Sequence, residues 1–407
     1  MNKSKNISKY TTLLSLYLAQ SIPMTFFSTV MPIIMRLENF SLTAIGLLQL
    51  IKLPWILKFL WAPLIDKSGD TVTNYKKWIF VSEMFYAAVI LITALLDFHT
   101  DFKLIVFLLL IAFTASATQD IATDAFAYLI LKKDERSLGN SMQSAGSFLG
   151  TVTGSGILLI IYHYFGWRYL LVALSGFVLL ALLPLVGFKT QSKSVAKQND
   201  KVGWNEILWF FKRPYMGKRV LFLLLFYAGL IGILTMLKPW LVDLGYNTKQ
   251  IGLMSGIYGP AFGAISAVAT GFFIKKYHKH IVLKLILFLV LLSGVYFLWL
   301  SQNTGEYYQY LLAVLSVWGV YGMASVFIYT TAMDWVRKGR AGTDFTLQIV
   351  LTHIGSLLLA VMSGKLAHNL GYEGLYVLEV LLSTLLLVLL PYLYKEFPEI
   401  KTRYTDN

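Results

Sequence analysis

The run LIVFLLLIAFTASATQDIATDAFAYLIL, residues 104–131, decides the class of fold. A hydrocarbon layer of about 30 Å takes about 20 helical residues to cross, and this run is longer than that while carrying charge only at Asp120 and Asp124. In lipid each backbone polar group needs a partner inside its own segment, so such a run is a helix. The two carboxylates then stand at i and i+4 on one face. Carboxylates are costly in hydrocarbon, so that face turns away from lipid, toward other helices or a polar cavity.

The rest of the chain repeats the pattern. Of 407 residues, 57% are apolar and 14% charged, where a soluble domain carries about 25% charged residues. Apolar runs predict twelve spans at about 10–35, 42–65, 78–97, 104–131, 138–162, 168–188, 219–243, 249–274, 281–300, 307–333, 343–367 and 373–394. Lys3, Lys5 and Lys9 precede the first run as in a signal peptide, but the run through Met35 is long and lacks a small-residue cleavage site, so it is read as a retained helix. The expected fold is an all-α membrane protein with no room for a separate soluble domain. The machinery must therefore lie inside the bundle.

The net charge of +14 has its explanation in the loops. Those on one side, with the N-terminus, the 189–219 connection and the tail, hold 27 Lys and Arg, while the opposite loops hold Arg36, Lys103, Arg168 and Lys249. The positive-inside rule then puts both termini and the middle loop in the cytoplasm, with no nucleic-acid partner. The connection 189–218 is polar and basic and then carries Trp204, Ile207, Leu208, Phe210 and Phe211. This is the pattern of a linker followed by an amphipathic helix on the inner membrane surface. It separates residues 1–188, an N-terminal six-helix bundle, from 219–407, a C-terminal six-helix bundle with a short cytoplasmic tail.

An internal repeat supports the same division. Ile45-Gly46-Leu47 and Pro54 are echoed by Ile251-Gly252-Leu253 and Pro260 at a displacement of 206 residues. His163-Tyr164-Phe165-Gly166-Trp167 is echoed by His368-Asn369-Leu370-Gly371-Tyr372, and Gln143 by Gln348, at 205. Two like-oriented repeats follow, the parallel arrangement of major-facilitator carriers, whose substrate site lies between the halves near the bilayer midplane.

The ionisable residues inside the predicted spans are Lys52, Lys58, Glu83, Asp120, Asp124, Lys238, His353, Lys365 and Glu379. Lys58 and Lys365 are expected to snorkel to the lipid boundary. Asp120 and Asp124, with Gln119, are candidates for a protonation site or substrate contact; the alternative is that they hold helices together by pairing with Lys52 or Lys58. Lys238 precedes Pro239 and Trp240, so it either binds an anionic or aromatic ligand by charge and cation–π contact or snorkels. Glu83 and Glu379 stand alone, each a neutral buried acid or a coupling site. Gln20, Gln143, Tyr258, Trp318, Tyr321 and Tyr329 are candidates to line a central cavity. With no cysteine, no phosphate-binding glycine loop and only His278 and His280 at metal-like spacing, no metal or cofactor is expected. No nucleophile constellation suggests an enzyme, which leaves a polytopic membrane enzyme as the outlying reading.

The stretch Ala62-Pro63-Leu64-Ile65-Asp66-Lys67-Ser68-Gly69 resembles the major-facilitator signature glycine-x-leucine-x-aspartate-arginine-x-glycine, with alanine and lysine at two of its positions. The resemblance implies that Asp66 caps a neighbouring helix or pairs with a cation such as Arg136 when the inner gate is shut. Gly271-Phe272-Phe273-Ile274-Lys275, in the second half, lacks the acid, so such a latch is one-sided. Leu53 to Asp66, Ala117 to Asp124 and Asp134 to Asn140 together resemble the RhtX/FptX-type siderophore permeases and, less closely, the AmpG-type muropeptide permeases and acetyl-CoA carriers. Lys58, Asp66, Gln119, Asp120, Asp124 and Arg136 carry the match, with Lys58, Asp66 and Arg136 as gating residues. What this implies is a proton-motive-force-driven importer of a bulky polar molecule in the bacterial inner membrane. The cargo it implies is a siderophore, the alternative a muropeptide or other cell-wall fragment. The chain is expected to act as a monomer by alternating access, with substrate, protons and bilayer as its partners.

Overall fold

The computed structural model describes residues 2–40, 48–69, 71–188 and 203–394, and all regular structure among them is helical. Ile45-Gly46-Leu47 of the repeat, the basic linker 189–202 and the tail from 395 lie outside the described residues. In chain order the helices are α1 (Asn2–Thr25), α2 (Met31–Leu37), α3 (Leu53–Leu57), α4 (Ala62–Gly69), α5 (Val72–Thr93), α6 (Phe102–Ile130), α7 (Arg136–Val152), α8 (Leu158–Ala181) and α9 (Leu183–Gly187). They continue with α10 (Asn205–Phe211), α11 (Met216–Leu225), α12 (Ile231–Asp243), α13 (Thr248–Ile251), α14 (Gly259–Lys276), α15 (Lys279–Gln302), α16 (Tyr307–Asp334) and α17 (Ala341–Leu393).

Seven helical segments among the described residues are long and apolar enough to cross a membrane. Two of these, Arg136–Gly187 and Ala341–Leu393, run 52 and 53 residues. At 1.5 Å per residue each, if straight, would reach about 80 Å, far beyond a ~30 Å layer. Each is broken by a glycine: Gly166 at φ 77°, ψ −172° and Gly371 at φ 72°, ψ 177°. Only glycine adopts this region readily. The two turns share one backbone conformation at the 205-residue displacement noted in the sequence. Exposed apolar side chains on the long helices, among them Phe107, Ile160, Ile265, Leu312, Val361 and Leu385, form a surface suited to lipid rather than water.

Several predicted spans are interrupted, each for a local reason. Residues 48–69 form short 3₁₀ and α turns, because Pro54 and Pro63 lack the amide hydrogen and crowd the preceding turn. The span predicted over 219–243 breaks between α11 and α12, where Gly229 takes φ 79°. Phe26–Val30, Thr153–Ile157 and Gly252–Tyr258 are wider π-helical turns, and the second packs against both others.

Glycine also sets how closely the helices approach. Gly146, Gly150 and Gly154 of α7 and the turn after it lie against the backbone carbonyls of Leu14, Leu18 and Ile22. Gly355 lies in the same way against the carbonyl of Leu224, 205 residues after Gly150. Helix pairs held by small residues associate through backbone approach, which a larger side chain forbids. Gly150→Leu should therefore lower stability by about 3 kcal/mol, seen as earlier thermal unfolding in detergent, while Gly156→Leu, whose Cβ would meet nothing within 4 Å, should not.

One apolar core lies wholly between Ile22 and Val178, and another is almost wholly drawn from Phe222 to Tyr394. A third joins the two parts of the chain, packing Leu13, Tyr17, Ile65 and Ile121 with Met333, Ala341 and Phe345.

Candidate functional site

The polar centre is built on α6. Its first turns expose Leu104, Phe107 and Leu110, whereas Ser116, Gln119, Asp120, Thr123 and Asp124 are all buried. The helix thus passes from a lipid-facing stripe to a polar face turned inward. Opposite Asp120 stands Lys58, on the 3₁₀ turn Lys58–Leu60 between α3 and α4. The two form a buried ion pair, with the lysine 1% exposed. The Lys58 ammonium lies 4.9 Å from the ring centre of Trp55, and Trp61 donates its indole hydrogen to Thr118 at 3.1 Å.

A second layer comes from α1. Tyr17 donates its hydroxyl to Asp124 Oδ1 at 2.6 Å, and Gln20 donates to Gln119 Oε1 at 2.5 Å. The cluster thus holds two carboxyls and one ammonium. Among the described residues Gln119 Nε2 and Thr123 Oγ1 have no partner, which leaves a donor and a hydroxyl for a bound solute. From the second part of the chain, Tyr329 lies within electrostatic reach of both aspartates and His353 within reach of Lys58. Ser325 donates to Ser144 at 3.0 Å across the same boundary, and the Phe148 ring meets Trp318 and Tyr321 edge-on.

At the end bearing the basic loops the two parts are tied together. Asp66 caps α17: its carboxylate accepts from the Gly342 and Thr343 amides at 2.8 and 2.7 Å, from the Thr343 hydroxyl at 2.6 Å and from Tyr75 at 2.7 Å. A carboxylate at a helix N-terminus satisfies orphan amides and opposes the helix dipole. Arg136 goes elsewhere, donating to Asp334 Oδ1 at 3.0 Å and to the Met333 carbonyl at 3.2 Å, and Lys279 also pairs with Asp334. At the opposite end the polar ties among the described residues stay within one part. Glu38, held below the usual carboxylate range chiefly by the Tyr162 hydroxyl and also by His99, is an example, and Tyr372 with Asp243 is another.

Residues 13–343 match the family model of the Major Facilitator Superfamily. The chain belongs to that superfamily. It is a membrane-spanning transporter. Among curated relatives, the anhydromuropeptide permease of Escherichia coli is 23% identical over 384 residues, covering 93% of this chain and 78% of that protein. The putative transporter AmpG 2 of Rickettsia typhi is 23% identical over 367 residues, covering 89% and 90%. Among solved structures, the human organic anion transporter MFSD10 aligns with a TM-score of 0.72 at 15% identity, covering 95% of this chain and 99% of that one. A bacterial homologue of the iron transporter ferroportin aligns at 0.67 and 17% identity, covering 95% and 98%.

In this facilitator several sequence candidates fall elsewhere than expected. Lys58, expected to snorkel and to serve the gate, is buried on Asp120, because the broken 48–69 segment turns it inward. Lys238 is exposed, but Trp240 is 3% exposed and packs among Phe297, Tyr310 and Tyr376; it is no cation–π partner for Lys238. Lys52 is half-buried and Tyr258 is 42% exposed at the end of a π-helical turn. Glu83 is buried on α5, which packs along α6, and Tyr86 of the same helix lies within its electrostatic reach. Glu379 is buried against the break between α11 and α12, where it accepts the Gly229 amide while its Oε2 has no partner among the described residues. The second-half copy of the signature has no acid, but Asp334, elsewhere in the second part of the chain, pairs across the boundary with Arg136. Sequence reading missed Tyr17 and Asp334. The i and i+4 aspartates called for partners, but nothing in one dimension said which helix would bring them.

Proposed function

We propose that the chain is a proton-coupled importer of cell-wall-derived sugar–peptide fragments, working by alternating access between two like-oriented six-helix bundles, 1–188 and 219–407. Twelve spans follow if the interrupted segments 48–69 and 216–243 also cross, if α5 crosses, and if the two glycine turns each divide a pair. Both termini would then face the cytoplasm of a bacterium. The observation that carries the transport reading is the buried Lys58–Asp120 pair with Asp124 beside it, faced by Tyr329 and His353 from the other half. The cargo reading rests on the Escherichia coli relative, named as an anhydromuropeptide permease. The siderophore expected from the short motifs has no support among the relatives, so the alternative cargo takes its place.

Mechanistically, Lys58 neutralises Asp120, and Asp124 has a phenol but no cation of its own. A proton taken up at Asp124 would bring the cluster to neutrality and favour loading from the side of lower pH. Asp66 and the Arg136–Asp334 pair hold the inner end shut in this state, and release of both would open the cavity to the cytoplasm.

The test is uptake of a radiolabelled anhydromuropeptide by proteoliposomes under an imposed proton gradient. Saturable uptake that collapses with a protonophore is the expected result. Uptake that persists unchanged without the gradient would reject the coupling, and uptake of a ferric siderophore but no muropeptide would reject the cargo. Tyr17→Phe should slow uptake about tenfold, since a hydrogen bond to a charged group is worth about 1.5–3 kcal/mol; uptake at the wild-type rate would exclude Tyr17 from the site.

A further inference from the structure

Among the described residues, three carboxylates at the basic-loop end, Asp334, Asp344 and Glu206, are each already shared by two cations. Asp334 is held by Arg136 and Lys279, Asp344 by Arg213 and Arg337, and Glu206 by Arg337 and Arg340. Arg219, 3% exposed on α11, forms an ion pair with none of them, and Asp334 reaches it only at longer range. Its Nε and Nη2 donate to the single amide oxygen of Gln348 at 3.0 and 2.8 Å, and its guanidinium lies 5.5 Å from the Trp335 ring centre. Its Nη1 has no acceptor among the described residues. A buried cation with no ion pair at contact distance and one donor left unmatched is expensive to hold, and a built pocket of this kind calls for an anion.

Arg219 lines a small cleft together with Tyr215, Lys218, Trp335 and Tyr394. The free space, about 10 Å³, is room for one water-sized group. Lys218 stands at its rim, its ammonium 4.6 Å from the Tyr392 ring centre. Tyr392 ends the exposed apolar stripe Leu381, Leu385, Val388 and Tyr392, whose helical spacing marks the lipid-facing side of α17. The cleft therefore opens where protein, headgroup and water meet.

We propose that this cleft binds the phosphodiester of an anionic phospholipid. One non-bridging oxygen enters and accepts from Arg219 Nη1, while the rest of the headgroup rests on Lys218. Arginine–phosphate contacts are charge-assisted and short, and basic pockets between spanning helices take acidic headgroups. The bound lipid clamps the start of α11 to the end of α17. The inference depends on the chain spanning a membrane and not on its cargo.

The experiment is thermal unfolding of the full chain, delipidated in an uncharged detergent, during titration with phosphatidylglycerol, phosphatidylcholine or inorganic phosphate. Phosphatidylglycerol should raise the unfolding temperature saturably and phosphatidylcholine should not. Lys218→Gln, at the rim, should raise the half-saturating amount of phosphatidylglycerol about fivefold, and Arg219→Gln should abolish the response. Should Arg219→Gln not fold, Lys218→Glu gives the same answer from the rim by repelling the lipid. An equal response to phosphatidylcholine, or a phosphatidylglycerol response untouched at residue 218, would overturn the site and leave the cleft to water. A response to inorganic phosphate with the same dependence on residue 218 would overturn the lipid and reassign the site to a soluble anion.

Discussion

Asp120→Ala should abolish uptake and lower stability by about 3–5 kcal/mol, because it leaves the Lys58 ammonium buried and unpaired. Lys58→Met should do the same in reverse, stranding Asp120 next to Asp124. The pair has almost no water to fall back on, since its lysine is 1% exposed. Combining Lys58→Met with Asp120→Leu removes both charges and should restore most of the stability. It should not restore uptake if the charges serve transport. Chemical unfolding and uptake measured on the wild type, both single variants and the double variant separate the two roles. Wild-type uptake by the double variant would reduce the pair to a structural tie between helices, the reading that the sequence left open.

Asp66→Ala should unlock the inner end. The substitution withdraws four hydrogen bonds and the cap of α17 at once, and loss of a cap alone costs about 0.5–2 kcal/mol. Gly342→Ala should act in the same direction, since its Cβ would come within 2.8 Å of Asp66 Oδ1. The chain has no cysteine, so a single Ser325→Cys offers one thiol at the buried contact with Ser144. Its labelling by a membrane-impermeant maleimide supplied on the basic-loop side should speed up about tenfold in Asp66→Ala, the factor that about 1.4 kcal/mol of lost closure predicts. An unchanged labelling rate would mean that Asp66 does not hold the gate. The Arg136–Asp334 pair predicts a smaller change, because both side chains are partly exposed and a solvated pair is worth less.

The glycine turns and the aspartate pair show how much of this molecule can be read along one dimension. His163 to Trp167 is echoed by His368 to Tyr372 because both places need a backbone that only glycine takes readily. The span in residues 104–131 and the burial of Asp120 and Asp124 follow from hydropathy and helical period, which are local quantities. The apolar content of the segment 48–69 reads as one helix, whereas its prolines cut it into turns that swing Lys58 inward.

Membrane embedding, helical class and the inward face of α6 were thus set by the chain's local chemistry, since lipid forces every apolar run to close its own hydrogen bonds. Tertiary structure alone decided that Lys58 and not Lys52 answers Asp120, that Tyr17 answers Asp124, that Asp66 caps α17 while Arg136 meets Asp334, and that Arg219 keeps one donor without an acceptor among the described residues. Those pairings join residues 62 to 277 positions apart, and the physical reason is distance: partners so remote in sequence meet only after whole helices have docked, so no spacing along the chain can announce them.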